Sequence, residues 1–122
     1  MNFSDYQLGV LATWNQKPSL KERQLNATLG VAGEAGEFAD LMKKVHFHGV
    51  PVDRDKVLKE LGDVLYYVTI AAYEHGFDLE DVAIANNKKL AARYPSGFQP
   101  GGGNREDDHA SQSTGIGLHQ TP

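Results

Sequence analysis

The fold is decided by the stretch VAGEAGEF, residues 31–38, in which Glu34 and Glu37 stand three positions apart among small and apolar residues. Residues three apart share one face of an α-helix, so this spacing places both carboxylates on the same side. The apolar residues around them form an arc on the same helix, and the two glutamates lie at its border. The pattern predicts a core-facing helix that holds two carboxylates at the edge of the core.

A second stretch repeats this arrangement further along the chain. It is LKELGDVL, residues 58–65, and it carries Glu60 and Asp63 at the same spacing. An apolar arc again runs along the predicted helix, with both carboxylates at its border. Burying several carboxylates together is costly unless cations or hydrogen-bond donors compensate them. The two pairs therefore predict a shared cation rather than four unrelated surface charges.

The chemistry of this acidic quartet favours a hard divalent metal. Mg²⁺ prefers oxygen ligands and is usually held by a few carboxylates together with substrate phosphates, and Mn²⁺ is a possible substitute. A metal of this kind polarises phosphoryl oxygens and lowers the pKa of a bound water, while a carboxylate not committed to the metal can accept the proton. We predict that the metal ligands and catalytic groups are Glu34, Glu37, Glu60 and Asp63.

Two other interpretations of the acidic residues remain open. Carboxylates three apart are common on solvated helix faces, so a structural bundle with solvated charges is one alternative. A di-iron carboxylate bundle is the other, and it uses Glu-x-x-His pairs that project inward. The chain has that pattern once, from Glu106 to His109 in the C-terminal region. The absence of histidine ligands in the helical body favours a hard cation over iron or zinc.

Outward from the two acidic stretches, the chain is predicted to be all-α. We found no pair of alternating strands joined by a hairpin turn. Capping residues and breakers divide the body into four helices of a bundle. Their predicted extents are Ser4 (as N-cap) to about Asn15, Leu20 to Val45, Asp53 (as N-cap) to about His75 before Gly76, and Asp78 (as N-cap) to near Tyr94.

Three glycines recur every three residues on the second predicted helix, at Gly30, Gly33 and Gly36. Each costs about 1 kcal/mol of helix propensity relative to alanine. Such a cost needs a compensating reason. Close approach of another helix or access for a ligand would supply it.

Composition changes sharply near Gln99. From there to Pro122 the chain has three consecutive glycines followed by mostly polar residues. Such a segment cannot bury enough apolar surface to offset the entropy lost on ordering. We predict one folded domain at residues 1–98 and a disordered C-terminal tail at residues 99–122.

The overall composition bounds the class of protein. The chain has 122 residues, 40% of them hydrophobic and 23% charged, with a formal net charge of −4. These values are typical of a soluble single domain and argue against a broad surface for nucleic-acid polymers or membranes. With no cysteine, the chain has no disulfide, no thiolate zinc site and no cysteine nucleophile. Since no bilayer-spanning run or signal peptide is recognisable, the expected location is the cytoplasm.

The end of the fourth predicted helix carries candidate substrate contacts. Lys89 and Arg93 are four positions apart and share a face, where they can hold a phosphate chain. Asn86 can meet a sugar or base edge. The alternative is that the cations simply complement the helix dipole. Near the end of the first helix, Trp14 can either stack on a base or serve as a core or interface residue.

Taken together, these segments resemble the MazG-like, all-α nucleoside triphosphate pyrophosphohydrolases. That family's signature is Glu-Glu-x-x-Glu followed later by Glu-x-x-Asp. The corresponding segments here are Gly33-Glu34-Ala35-Gly36-Glu37 and Glu60-Leu61-Gly62-Asp63, within a resemblance that covers roughly residues 25–98. The first glutamate of the family pattern is replaced by Gly33, which leaves four candidate ligands.

The resemblance implies a function that the residues alone do not specify. It implies Mg²⁺-dependent hydrolysis of nucleoside triphosphates between the α and β phosphates, giving a nucleoside monophosphate and pyrophosphate. It also implies homodimers or homotetramers, and a nucleotide-contact segment that comprises Asn86, Lys89, Arg93 and Tyr94. The alternative hypothesis is a non-catalytic nucleotide- or partner-binding module that keeps the fold.

Overall fold

The computed structural model describes residues 1–101, and over that range the chain forms four α-helices. They are α1 (Phe3–Leu11), α2 (Leu20–Phe47), α3 (Arg54–Glu74) and α4 (Leu79–Arg93). Within the described range, β geometry is confined to an isolated bridge between Pro95 and Gly97. The prediction of an all-α fold is confirmed. Of the predicted tail, everything beyond residue 101 lies outside the described residues.

None of the four helices combines the length and the hydropathy that crossing a bilayer requires.

Helix α1 begins earlier and ends earlier than its sequence pattern predicted. Asn2, rather than Ser4, is the N-cap, and its Oδ1 accepts a hydrogen bond of 2.8 Å from the backbone N–H of Asp5. At the other end, the Thr13 hydroxyl donates to the Val10 carbonyl at 2.8 Å. This side-chain bond takes a carbonyl of the last turn and favours a tighter turn there. The prediction that α1 extends to about Asn15 is therefore wrong.

The ends of α3 match the predicted signals. Asp53 caps its N-terminus, because its carboxylate accepts a bond of 3.2 Å from the N–H of Lys56. At the C-terminus, Gly76 adopts φ +82°. The N–H of Phe77 bonds to the carbonyl of Ala72 at 2.9 Å across this turn. That pattern is a Schellman motif, in which glycine avoids the steric cost of the left-handed region.

Helices α2 and α3 form an αα-hairpin through residues 48–53 and make the most extensive helix–helix contact in the described part of the chain. Helix α1 packs on α3 and on α4. Gln7 joins α1 to α4, because its amide nitrogen donates to Asp78 at 3.0 Å and its carbonyl accepts from the N–H of Leu79 at 2.9 Å. A side chain of α1 thus satisfies a backbone donor in the first turn of α4.

At Gly30 the backbone of α2 lies close against a side chain of α3. A Cβ atom built at Gly30 would overlap the ring of Tyr67 on α3. At Gly33 and Gly36 an added Cβ would meet no atom of the described residues within 4 Å. Close helix approach therefore explains the first of the three glycines, and not the other two.

Substituting Gly30 tests this contact directly. We expect Gly30→Ala to lower the free energy of unfolding by about 1–3 kcal/mol, because the methyl group overpacks the interface by more than helix propensity returns. The matched control is Gly36→Ala on the same helix, which should gain about 0.5–1 kcal/mol. Urea denaturation followed by circular dichroism measures both. Equal stabilisation of the two variants would show that Tyr67 moves aside freely.

A buried ion pair between Arg23 and Glu74 joins the first turn of α2 to the last turn of α3. The Glu74 side chain is 1% exposed and accepts from the Arg23 Nε at 2.9 Å. It also accepts from the Trp14 indole N–H at 3.0 Å. Trp14 packs against the small core formed by Val10, Ala27 and Ile70. The sequence left Trp14 either as a residue that stacks on a base or as a core or interface residue. In the structure Trp14 packs against the core.

Candidate metal centre

Three of the four predicted carboxylate ligands come together on the α2–α3 hairpin. Glu34 on α2 and Glu60 and Asp63 on α3 each offer an oxygen atom, and these oxygens all lie within 4.8 Å of one another. Glu34 and Glu60 are half-buried, and Asp63 is exposed. The i, i+3 spacing on α3 places Glu60 and Asp63 one turn apart. Packing of α2 against α3 brings Glu34 to them as the third candidate ligand.

The donor set fits a hard cation. Carboxylate oxygens are the ligands that Mg²⁺ prefers, at about 2.0–2.1 Å. Oxygens on opposite sides of such an ion therefore lie about 4.2 Å apart. A spread of up to 4.8 Å requires only small side-chain rotations to reach that geometry. The remaining coordination positions would be left to water and to phosphate oxygens.

Electrostatics point to the same conclusion. The pKa of Glu34 is raised above its ordinary value of 4.5, chiefly by desolvation and then by the charges of Asp63, Glu60 and Glu37. As the pH rises above 4.5, the unfolded chain loses this proton before the folded chain does. The contribution of Glu34 to stability therefore falls until the pH passes the raised pKa. Once ionised, Glu34 opposes folding, and a bound divalent cation would remove that repulsion.

Glu37 stands apart from the group of three. It is exposed and lies one turn along α2 from Glu34. Its charge helps to raise the pKa of Glu34, although its oxygens are not part of the close cluster. A direct role for Glu37 as a metal ligand remains a prediction.

The predicted substrate contacts lie on α4 and at its C-cap, Tyr94. Arg93 and Tyr94 line a cavity of about 190 Å³ whose lining includes none of the three carboxylates. The Arg93 guanidinium carbon is 5.9 Å from the centroid of the Tyr94 ring. Asn86 is exposed and Lys89 is half-buried on the same helix. Nucleotide contact by these four residues also remains a prediction.

Sequence reasoning missed a cleft of about 290 Å³ between α1 and α3 that has Asp63 in its wall. The cleft also includes Tyr6, whose pKa is raised by burial and then by the charges of Asp63 and Tyr66. The α1 residues that line it recur at helical spacing, so their common face was visible in the sequence. That this face lies against Asp63 depends on how α1 packs on α3.

The response of thermal stability to Mg²⁺ tests the three-carboxylate cluster. At about 100 times its Kd, the ion should add about 2.7 kcal/mol to the free energy of unfolding by mass action. Glu34→Gln should stabilise the metal-free protein at neutral pH, because it removes a repelled charge, and should lose most of the Mg²⁺ increment. Differential scanning calorimetry with Mg²⁺ or EDTA measures both effects.

A matched control for this experiment is Asp55→Asn, which neutralises an exposed carboxylate on α3 that pairs with Lys59 at 2.8 Å. It should keep the full Mg²⁺ increment. An equal loss of the increment in Asp55→Asn and Glu34→Gln would contradict a localised site.

Comparison with known proteins places this geometry in a family context. Residues 22–98 match the family described as the MazG nucleotide pyrophosphohydrolase domain, and that span includes all four predicted ligands. The Gene 37 protein of Mycobacterium phage L5 is 39% identical over 80 residues, which cover 62% of this chain and 70% of that protein. No solved structure matches at a significant level.

Proposed function

We propose that this chain, which belongs to the MazG nucleotide pyrophosphohydrolase domain family, hydrolyses nucleoside or deoxynucleoside triphosphates between the α and β phosphates with the help of Mg²⁺. The observation that carries the proposal is the convergence of three carboxylate oxygens from α2 and α3 within 4.8 Å. The products are a nucleoside monophosphate and pyrophosphate. Water supplies the oxygen that replaces the bridging oxygen between the two phosphates.

The roles of the side chains follow from their placement. Glu34, Glu60 and Asp63 would hold the cation, which, when bound, neutralises charge on the phosphates and lowers the pKa of a coordinated water. Glu37 lies close by but outside the cluster, so we assign to it the acceptance of the proton from the attacking water. The α2–α3 hairpin fixes the four carboxylates relative to one another, since two are on each helix. Gly30 allows the close approach that brings the two helices together.

A second candidate function rests on the residue at position 33. Glycine stands there where the family pattern has its first glutamate, so the site has one carboxylate fewer. A module with this reduced set could bind nucleotides with a cation and release them unchanged. Turnover separates the two functions.

We also propose that the active protein is a homodimer or homotetramer. Large apolar side chains are exposed on both helices of the hairpin, among them Leu25 at 57%, Leu29 at 62% and Leu58 at 71%. Association of two copies would cover such a surface. Light scattering should give at least twice the monomer mass, and a monomer at working concentration would contradict the proposal.

The experiment that tests the proposed function is pyrophosphate release from a panel of common and modified NTPs and dNTPs. We expect release with Mg²⁺, weaker or comparable release with Mn²⁺, none with EDTA, and monophosphate as the co-product. Release of single phosphates instead would contradict cleavage between the α and β phosphates. A folded protein that releases nothing from any substrate would favour the binding module.

A further inference from the structure

The cleft between α1 and α3 shares Asp63 with the carboxylate cluster, so the two sites adjoin each other at this residue. Tyr6 and Gly9 of α1 and Thr13 just after it form one side, and Tyr66 joins Asp63 on the α3 side. A volume of about 290 Å³ is close to the lower limit of ligand pockets, about 300 Å³. The cleft is therefore large enough for one compact ring system.

The charges of the cleft decide which end of a nucleotide it can accept. Asp5 and Asp63 both line it, together with Met1 and its N-terminal ammonium, and none of the lining residues is a lysine or arginine. Asp63 would be committed to the cation at the cluster, and the Asp5 carboxylate adds a negative charge to the wall that repels the β and γ phosphates. With the phosphates at the cation, the uncharged base is the part of the substrate that can enter.

The hydrogen bonds of two hydroxyl groups decide whether the cleft can donate or accept hydrogen bonds at that point. The Thr13 hydroxyl lies 2.8 Å from the Val10 carbonyl and 2.9 Å from the Tyr66 hydroxyl. A carbonyl can only accept, so both contacts are hydrogen bonds at once only if Thr13 donates to Val10 and Tyr66 donates to Thr13. Both hydroxyl protons are then committed. The pair presents only oxygen lone pairs to a ligand.

An acceptor-only pair discriminates between bases. An exocyclic amino group, as in cytosine, offers two N–H donors to such oxygens. The equivalent position of thymine or uracil is a carbonyl oxygen, which would face the lone pairs without a proton between them. The mismatch leaves polar groups unpaired and disfavours those bases.

We propose that the α1–α3 cleft binds the base of the nucleotide substrate and that the Thr13–Tyr66 hydroxyl pair selects bases that carry an amino group. This proposal rests on the proposed function for the placement of the phosphates. It assigns a specificity role to α1 and to Tyr66 that is separate from the metal ligands.

The first test fills the cleft without disturbing the core. A Cβ at Gly9 meets no atom of the described residues within 4 Å, so Gly9→Leu should fold and place its side chain in the cleft. We expect KM for dCTP to rise at least tenfold while the Mg²⁺ increment in thermal stability is unchanged. The matched control is Ala12→Leu, an exposed position at the end of the same helix that is not part of the cleft lining. A wild-type KM in Gly9→Leu would overturn the assignment of the cleft.

The second test concerns the base. Wild-type protein should prefer dCTP over dTTP, two substrates of similar size, by about tenfold in kcat/KM, the magnitude of one hydrogen bond. Tyr66→Phe keeps the aromatic ring and removes the hydroxyl oxygen. The preference for dCTP over dTTP in kcat/KM should therefore largely disappear. The value of kcat should change less than this ratio of kcat/KM values does. An unchanged ratio in Tyr66→Phe would overturn the selection by the hydroxyl pair.

Binding of dCMP and dTMP by isothermal titration separates failure of this proposal from failure of the proposed function. Hydrolysis by the wild type with full dCMP affinity in Gly9→Leu would refute the cleft alone. No hydrolysis, with dCMP affinity lost in Gly9→Leu, would refute the catalytic function alone. No hydrolysis together with unchanged dCMP affinity in Gly9→Leu would refute both.

Discussion

Asp63→Asn is expected to lower kcat for pyrophosphate release at least about 100-fold and to abolish the stabilisation by Mg²⁺. Asp63 belongs to the carboxylate cluster and to the wall of the α1–α3 cleft, so it joins the proposed metal site to the proposed base site. The charge stabilisation supplied by a metal is worth several kcal/mol, and each 1.36 kcal/mol is about tenfold in rate. Because Asp63 is exposed, the fold should survive the change. Steady-state kinetics and calorimetry measure the two effects.

Two further variants make this prediction specific. Asp55→Asn, on the same helix and also exposed, should keep activity close to that of the wild type. Glu37→Gln should lower kcat about 10²–10⁴-fold yet keep the Mg²⁺ increment, if Glu37 accepts the proton rather than binding the metal. Wild-type turnover and a full Mg²⁺ increment in Asp63→Asn would remove Asp63 from the site.

Arg23→Met is expected to lower the free energy of unfolding by about 3–5 kcal/mol, the usual cost of removing one partner of a buried ion pair. The Glu74 side chain is 1% exposed and, within residues 1–101, would keep only the Trp14 indole as a side-chain donor. Arg23 also donates to the carbonyl of Pro18, so the loop before α2 loses an anchor as well. Urea denaturation at neutral pH is the appropriate measurement.

The controls for this variant distinguish the ion pair from a general effect of lost charge. Lys21→Met, at an exposed position of the same helix, should change stability by less than about 0.5 kcal/mol. The double variant Arg23→Met/Glu74→Leu should recover much of the loss, because no uncompensated charge remains buried. If Arg23→Met were as stable as Lys21→Met, solvent would have to reach Glu74 in solution.

Local signals explain why most of the fold could be predicted from sequence. Asp53 and Gly76 mark the ends of α3 through bonds to residues only a few positions away, and such bonds are visible in the chain order. The start of α1 was predicted two positions too late, because Asn and Ser are about equally good N-cap residues and Asn2 caps the helix instead of Ser4. Its end depended on the Thr13 hydroxyl, which competes for a carbonyl in a way that helix periodicity does not reveal.

The site was predictable only as far as single helices determine it. The i, i+3 spacing put Glu60 and Asp63 together, but the rotation of α2 against α3 decides that Glu34 rather than Glu37 completes the close cluster. The cleft depends on how α1 packs against α3 and α4, and the bonds that hold α1 to α4 join residues more than 70 positions apart. Contacts of that separation leave no pattern in a local window of sequence.

The αα-hairpin formed by α2 and α3 has a consequence for the order of folding. Its contacts are close in sequence across residues 48–53, so the loop-closure entropy of forming it is small. The bonds from Gln7 to the start of α4 close a far longer loop and are expected to form late. φ-values higher in the hairpin than in α1 would reveal this order. The half of the molecule that gathers the carboxylates would then assemble before the half that completes the cleft.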